Sequence, residues 1–273
     1  MKYKRVVVIA CMHCGHLVGL TPPQWWMSKA RAHESNIPSH IPETQRRMWG
    51  AYKATLADLK PIHTLIVNGD CIEGKGGRSG ATELLAADRE EQASMAVQCI
   101  AQAEASNLVV IYGTAYHTGE DEDWENVVAT RCAASGKFDE CKIGSHEWVQ
   151  VNGVIFDVKH HVGASSVPYG RYTAIARAKL WNMMWAERQE QPKAHFIIRS
   201  HVHYHVDCGE RRKWRAMTTP ALQAAGTKYG ARRCEGTVDL GLVYVDCYED
   251  GTWNWDVIRF AQAVRRASTL ILE

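Results

Sequence analysis

No window of this chain approaches the ~20 apolar residues that span a bilayer. The run near the start, "RVVVIA" (5–10), is too short for the core of a secretion signal. Charge of one sign is also lacking: 32 basic residues face 30 acidic ones, for a formal net charge of +2. A dedicated duplex-DNA binder carries a marked basic excess, so that class is excluded, although a nucleic-acid substrate is not. No disulfide-like rhythm orders the nine cysteines, an odd number scattered along the chain. Free thiols in a reducing compartment follow from that, and the expected location is the cytoplasm. Repeats, low-complexity tracts and linker-like runs are absent as well. The 273 residues, 46% of them hydrophobic, are enough for one large domain or two small ones, with a substantial core either way.

Two further absences remove common chemistries. Cys11-Met12-His13-Cys14 has the form C-x-x-C, but no second such pair exists to complete a structural zinc site. The helix-poor "GHLVGLTPP" that follows it argues against a thioredoxin-like redox pair. "GKGGRSG" (74–80) is glycine-rich and basic, yet lacks the strand and helix frame of a Walker loop. It is either a flexible loop or a phosphate contact.

Short β-branched runs punctuate what is present. "RVVVIA" (5–10), "HTLIVNGD" (63–70), "NLVVIYGT" (107–114) and "AHFIIRS" (194–200) each suit a buried strand. "HEWVQVNGVIFDVKHH" reads as two strands joined at Asn152-Gly153, a hairpin signal. Helical patterns cover 81–105, 123–135 and 171–190, the last carrying Trp181 and Trp185 one turn apart. The closing third is mostly strand, with a turn at Glu249-Asp250-Gly251. Segment 21–44 has no clean period and contains Trp25 and Trp26, which either pack an insertion or stack on a base. Strands alternating with helices early, and hairpins late, predict a layered α/β domain with a mixed sheet or two sheets.

The buried runs share an ending. They lead into Cys11 and His13, into Asp70, into His117, into His160-His161, and into His201 and His203. Ligands of α/β sheets sit outside the carboxyl ends of the strands. Five such ends can meet, bringing together a thiolate, a carboxylate and several imidazoles, the donor set of a transition-metal site. Neighbours on extended chain point apart, so one of His160 and His161 is the direct ligand. His205 is structural or supports a ligand.

The ordered motifs "CMH" (11–13), "GDCIEG" (69–74), "GTAYH" (113–117), "HHVG" (160–163) and "SHVH" (200–203) resemble those of the calcineurin-like metallophosphoesterase family. The resemblance runs from about residue 5 to 205 and implies two packed mixed β-sheets flanked by helices, a four-layer sandwich. It implies one domain over 1–273, in which an insertion at about 20–60 would cover the active site. It also implies a phosphoesterase with two divalent transition-metal ions (Mn, Zn or Fe). Cys11, His13 and His203 would hold the first ion. His201 with His160 or His161 would hold the second, and Asp70 would bridge. The substrate class would be nucleic acid, possibly single-stranded, or nucleotides, with a small phosphomonoester or a metal-holding module without hydrolysis as alternatives. Three positions depart from the family. Cys11 stands where it has Asp, Thr114 where it has Asn, and His117 lies two residues from its catalytic His. His117 is a proton donor, a substitute ligand or neither. Arg171 is either a phosphate contact or solvent-facing.

Overall fold

Val6, Val7, Val8 and Ile9 are all fully buried. In extended chain successive side chains point to opposite faces, so this run needs cover on both sides. The computed structural model, which describes residues 2–119, 123–210, 213–233, 236–261 and 271, supplies it. Val6 and Val8 face a second sheet, where Phe156, Val158, Phe196 and Ile198 meet them. Val7 and Ile9 face helices.

The strands are β1 (Tyr3–Ile9), β2 (Thr64–Asn68), β3 (Asn107–Ile111), β4 (Glu140–Gly144), β5 (His146–Val151), β6 (Val154–Lys159), β7 (Phe196–Arg199), β8 (Asp207–Glu210), β9 (Trp214–Thr218), β10 (Gly241–Tyr248) and β11 (Trp253–Arg259). The helices are α1 (Lys29–Glu34), α2 (Ile41–Leu59), α3 (Arg89–Ala101), α4 (Ala115–Thr118), α5 (Trp124–Ala134), α6 (Arg171–Glu187) and α7 (Lys228–Arg233). One sheet runs β11-β10-β1-β2-β3-β4 and the other β5-β6-β7-β9-β8. β1 to β4 are parallel, and β10 and β11 are antiparallel additions at one side. In the second sheet β6, β7 and β9 are parallel, with β5 and β8 antiparallel at its edges. Both sheets are mixed. Helices α2, α3 and α5 cover the outer face of the first, and α6 covers the second, where Ile175 meets Ile197 and Ala216. The result is the helix–sheet–sheet–helix sandwich that the sequence led us to expect.

Two boundaries differ from the sequence reading. The helix expected over 81–105 begins only at Arg89, because the Asp88 side chain accepts from the backbone of Glu90 and caps it there. The residues before it form a loop in which Leu84 pairs with His16. Segment 21–44 holds α1 and the start of α2, and α2 packs Met48, Tyr52 and Leu56 into the core. Trp25 and Trp26 pack against that core too. The Asn152-Gly153 turn is as expected, both residues having positive φ (46° and 78°).

Candidate metal centre

The parallel strands β1, β2, β3, β6 and β7 all end on one side, and their following loops meet. The loops after β1 and β2 are laced together: Cys11 N donates to Gly69 O and His13 N to Asp70 O, each at 3.0 Å. Cys11, His13, Asp70, His201 and His203 all have φ between 44° and 72°. A non-glycine residue in this left-handed region costs about 1 kcal/mol or more. Such conformations persist where the surroundings over-determine them, and they gather at functional sites.

Close approach is built into the backbone as well. A Cβ on Gly69 would lie 2.3 Å from His160 Nδ1, and one on Gly113 would lie 2.3 Å from Asp70 Oδ1. Only glycine fits at either position.

Three overlapping donor groups result: Cys11, His13 and His203; Cys11, Asp70 and His160; and His13, Glu73 and His117. His13 Nε2 faces His203 Nε2 at 3.2 Å. Two imidazole nitrogens at tetrahedral positions on a zinc-sized ion would stand about 3.3 Å apart, so the pair is spaced to share one. Asp70 Oδ2 lies 3.0 Å from His160 Nε2 and 3.9 Å from both His13 Nε2 and His201 Nδ1. Asp70 Oδ2, His160 Nε2 and His201 Nδ1 are buried and have no aligned hydrogen-bond partner among the described residues. Their other atoms are engaged. His160 Nδ1 meets the Asn68 carbonyl at 2.6 Å, which leaves Nε2 free. Thr114 donates to Asp70 Oδ1 from both its backbone N–H (2.8 Å) and its hydroxyl (3.0 Å), so Oδ2 alone faces the cluster. The donor set therefore fits metal ions.

Electrostatics prepare the same atoms. Burial alone would raise the Asp70 carboxyl, but His160, His201 and His13 outweigh it and hold Asp70 well below the usual range. It is an anion at any working pH. Burial, then Asp70, push the Cys11 thiol well up, so metal binding there would displace a proton. Burial and then His13 push His117 down to about 4. With Nδ1 2.8 Å from the Glu73 carbonyl, neutral His117 presents a lone pair at Nε2. Of the roles the sequence leaves open, that suits a substitute ligand or a proton acceptor better than a proton donor.

No protein-family model matches this sequence, and no curated protein matches it. Solved structures do. A predicted phosphoesterase from Streptococcus pneumoniae TIGR4 is 11% identical over 97% of this chain and 94% of that one, with a TM-score of 0.40. Vacuolar Protein Sorting 29 from Cryptosporidium parvum is 9% identical over 96% and 100%, at 0.46. Purple acid phosphatase from yellow lupin is 11% identical over 94% of this chain and 52% of its own, at 0.49. Likenesses this distant decide nothing about activity.

The expected residues divide. Cys11, His13, Asp70, His160, His201 and His203 come together. His161 does not join them: it is exposed, with its ring 5.0 Å from that of His201. His160 is thus the inward member of the pair. Arg171 bonds Thr237 Oγ1 at 3.1 Å and lies over the Tyr204 ring, away from the cluster in its contacts. His205 is buried against the Thr218 carbonyl, a structural role. Cys14 points the other way, into the core, where its Sγ meets the Leu20 carbonyl, so Cys11 and Cys14 form no pair.

Two residues escaped the sequence reading. Glu73 Oε2 meets His13 Nδ1 at 2.9 Å and turns Nε2 toward His203. Burial would raise Glu73, but the His13 bond outweighs it and holds it low. Its only signal was its place inside "GDCIEG". Glu125, on α5, accepts from Cys71 N at 3.1 Å behind Asp70. Burial, then Asp70, push it up to about 8, so it is neutral beside the anion.

Proposed function

We propose that this protein is a metal-dependent hydrolase of phosphate esters, and within that class a phosphodiesterase acting on nucleic acid or nucleotides. It would use two divalent ions of the manganese, zinc or iron kind. One observation carries the reading: three buried polar atoms that lack an aligned hydrogen bond, Asp70 Oδ2 and His160 Nε2 (3.0 Å apart) and His201 Nδ1, converge beside the His13–His203 pair. Unsatisfied buried groups cost about 1–3 kcal/mol each, so a fold that gathers three has a use for them. The named phosphoesterase and phosphatase among structures of similar fold lean the same way without deciding it.

Cys11, His13 and His203 would hold one ion, and His160 and His201 the other, with Asp70 between. Divalent ions there supply charge that neutralises a phosphate and lowers the pKa of water. Asp70 remains anionic, with Oδ1 tied to Thr114 so that Oδ2 keeps its aim. Glu73 steers His13. His117 offers Nε2 as a proton acceptor. Free thiols throughout the described residues suit a reducing compartment such as the cytoplasm, and no helix among those residues is long and apolar enough to cross a membrane.

A second reading, a module that holds one ion without hydrolysis, has one observation in its favour. The Thr114 hydroxyl is engaged by Asp70 and leaves the second position short of a ligand. Elemental analysis after reconstitution, with turnover of bis(p-nitrophenyl) phosphate and p-nitrophenyl phosphate, separates the two. We expect about two ions per chain, diester turnover, and a loss of at least about a hundredfold in Asp70→Asn with the fold intact. One ion without turnover supports the module. No ion overturns both readings. Cobalt should give an intense thiolate charge-transfer band that Cys11→Ser abolishes.

A further inference from the structure

Beside the metal centre lies a cavity of about 550 Å³ between the β5–β6 hairpin and α6, within the usual range for small-molecule sites. His161 lines it, and the His161 ring stands 5.0 Å from His201, so the cavity opens next to the cluster. Residues 174, 178, 181 and 185 of α6, spaced at helical intervals, form one wall.

Three features of the lining define its chemistry. Trp181 is 52% exposed, and no ring or cation lies on its indole among the described residues. Trp185, one turn on, already carries the Arg188 guanidinium at 5.1 Å. Among the cations, Arg199 is taken by Asp157 at 2.8 Å, and Asp157, the single carboxylate of the lining, also binds His146. Lys159 and Arg177 line the same cavity, are exposed, and have no acidic partner among the described residues. Arg177 leans toward the loop after His160-His161, where a Cβ on Gly163 would lie 3.8 Å from its Nη2. An open aromatic face beside two uncommitted cations suits a ligand that is flat at one end and anionic at the other. Leu180, Met183 and Met184 are exposed on the same helix but do not line the cavity.

We infer that this cavity is a subsite for one nucleotide unit of the substrate, its base stacked on Trp181 and its phosphate held by Lys159 and Arg177. The inference rests on the phosphoesterase reading for its direction, since the unit would extend from a phosphate at the metal centre. It is tested apart from that reading, on metal-free protein in chelator. Adenosine 5′-monophosphate and ribose 5-phosphate are titrated by calorimetry. We expect the nucleotide to bind more tightly than the sugar phosphate. Trp181→Ala should weaken the nucleotide about tenfold and leave the sugar phosphate unchanged, while Trp181→Phe keeps most of the affinity. Arg177→Ala should weaken both ligands. Equal nucleotide affinity in wild type and both alanine variants, or no binding at millimolar concentration, overturns the inference. So does self-association that Trp181→Ala abolishes in a protein that binds no nucleotide, since a second copy would then be the occupant of that wall. No metal or turnover enters the titration, so an inactive loaded enzyme with this binding pattern would overturn the hydrolase reading and leave the subsite standing.

Discussion

Helix α2 buries Ile41, Met48, Trp49, Tyr52, Leu56 and Leu59 against the first sheet, whereas α6, nearly as long, buries only Ile175, Lys179 and Asn182 against the second. The contrast extends to the kind of contact. The first outer layer is apolar, with α3 and α5 adding Met95, Ile100, Val128 and Cys132. The second is fastened by polar side chains. Asn182 donates to Asp157 Oδ2 and the Pro192 carbonyl and accepts from Ala194 N, and Lys179 donates to the Ala194 carbonyl at 2.8 Å. Apolar burial is non-directional and scales with area, so it closes gaps. Hydrogen bonds hold a helix at chosen points and leave space between them. The closed layer gives the molecule its stability, and the pinned one leaves a cavity beside the candidate metal site.

Substitutions can break this contrast. Tyr52 is fully buried on α2, its hydroxyl 2.9 Å from the Cys99 carbonyl. Tyr52→Ala should lower the unfolding free energy by about 4 kcal/mol, measured by urea denaturation. Asp157 comes next, as the polar anchor of the second layer. Burial would raise its carboxyl, but His146 and Arg199 outweigh that and hold it below the usual value. The stability from this depression is present at neutral pH and fades as pH falls from about 4 through the lower folded value. Asp157→Asn should cost about 3 kcal/mol at pH 7, and melting curves of the variant should show a shallower acid decline than wild type. A parallel decline would remove Asp157 from this role. Smallest of all, Trp181→Ala and Leu180→Ala on the exposed faces of α6 should shift stability by no more than about 0.5 kcal/mol. If either rivals Tyr52→Ala, the two layers are held by the same physics after all.

What could be read from the sequence follows the same division. Buried strands announced themselves because a parallel strand covered on both faces is a continuous β-branched run, as in Val6–Ile9 and Leu65–Val67. Each such run was followed within a few residues by a histidine, cysteine or aspartate, so the cluster was legible from the order of its parts. Edge strands were harder. β4 has a partly exposed, mixed pattern, and β8, "DCGE", contains a glycine and no branched residue. The start of α3 was lost because propensity extends through residues 81–88 and only the Asp88 cap ends it. Within the site, the spacing of His160 and His161 showed that one must turn away but not which. Glu73 acts through one hydrogen bond with His13 and Thr114 through two to Asp70, and no periodicity marks such contacts. The left-handed backbone at Cys11 is equally silent, since cysteine does not favour that region.

The positive φ angles of Cys11, His13, Asp70, His201 and His203 carry one more consequence. Backbone hydrogen bonds hold two of these residues directly, Cys11 N to Gly69 O and His13 N to Asp70 O. Many small metalloproteins assemble only when their metal arrives, because binding and chain ordering share one free energy. In the proposed centre part of that ordering would fall to the backbone, whose hydrogen bonds lace the loops after β1 and β2, so folding and loading would separate.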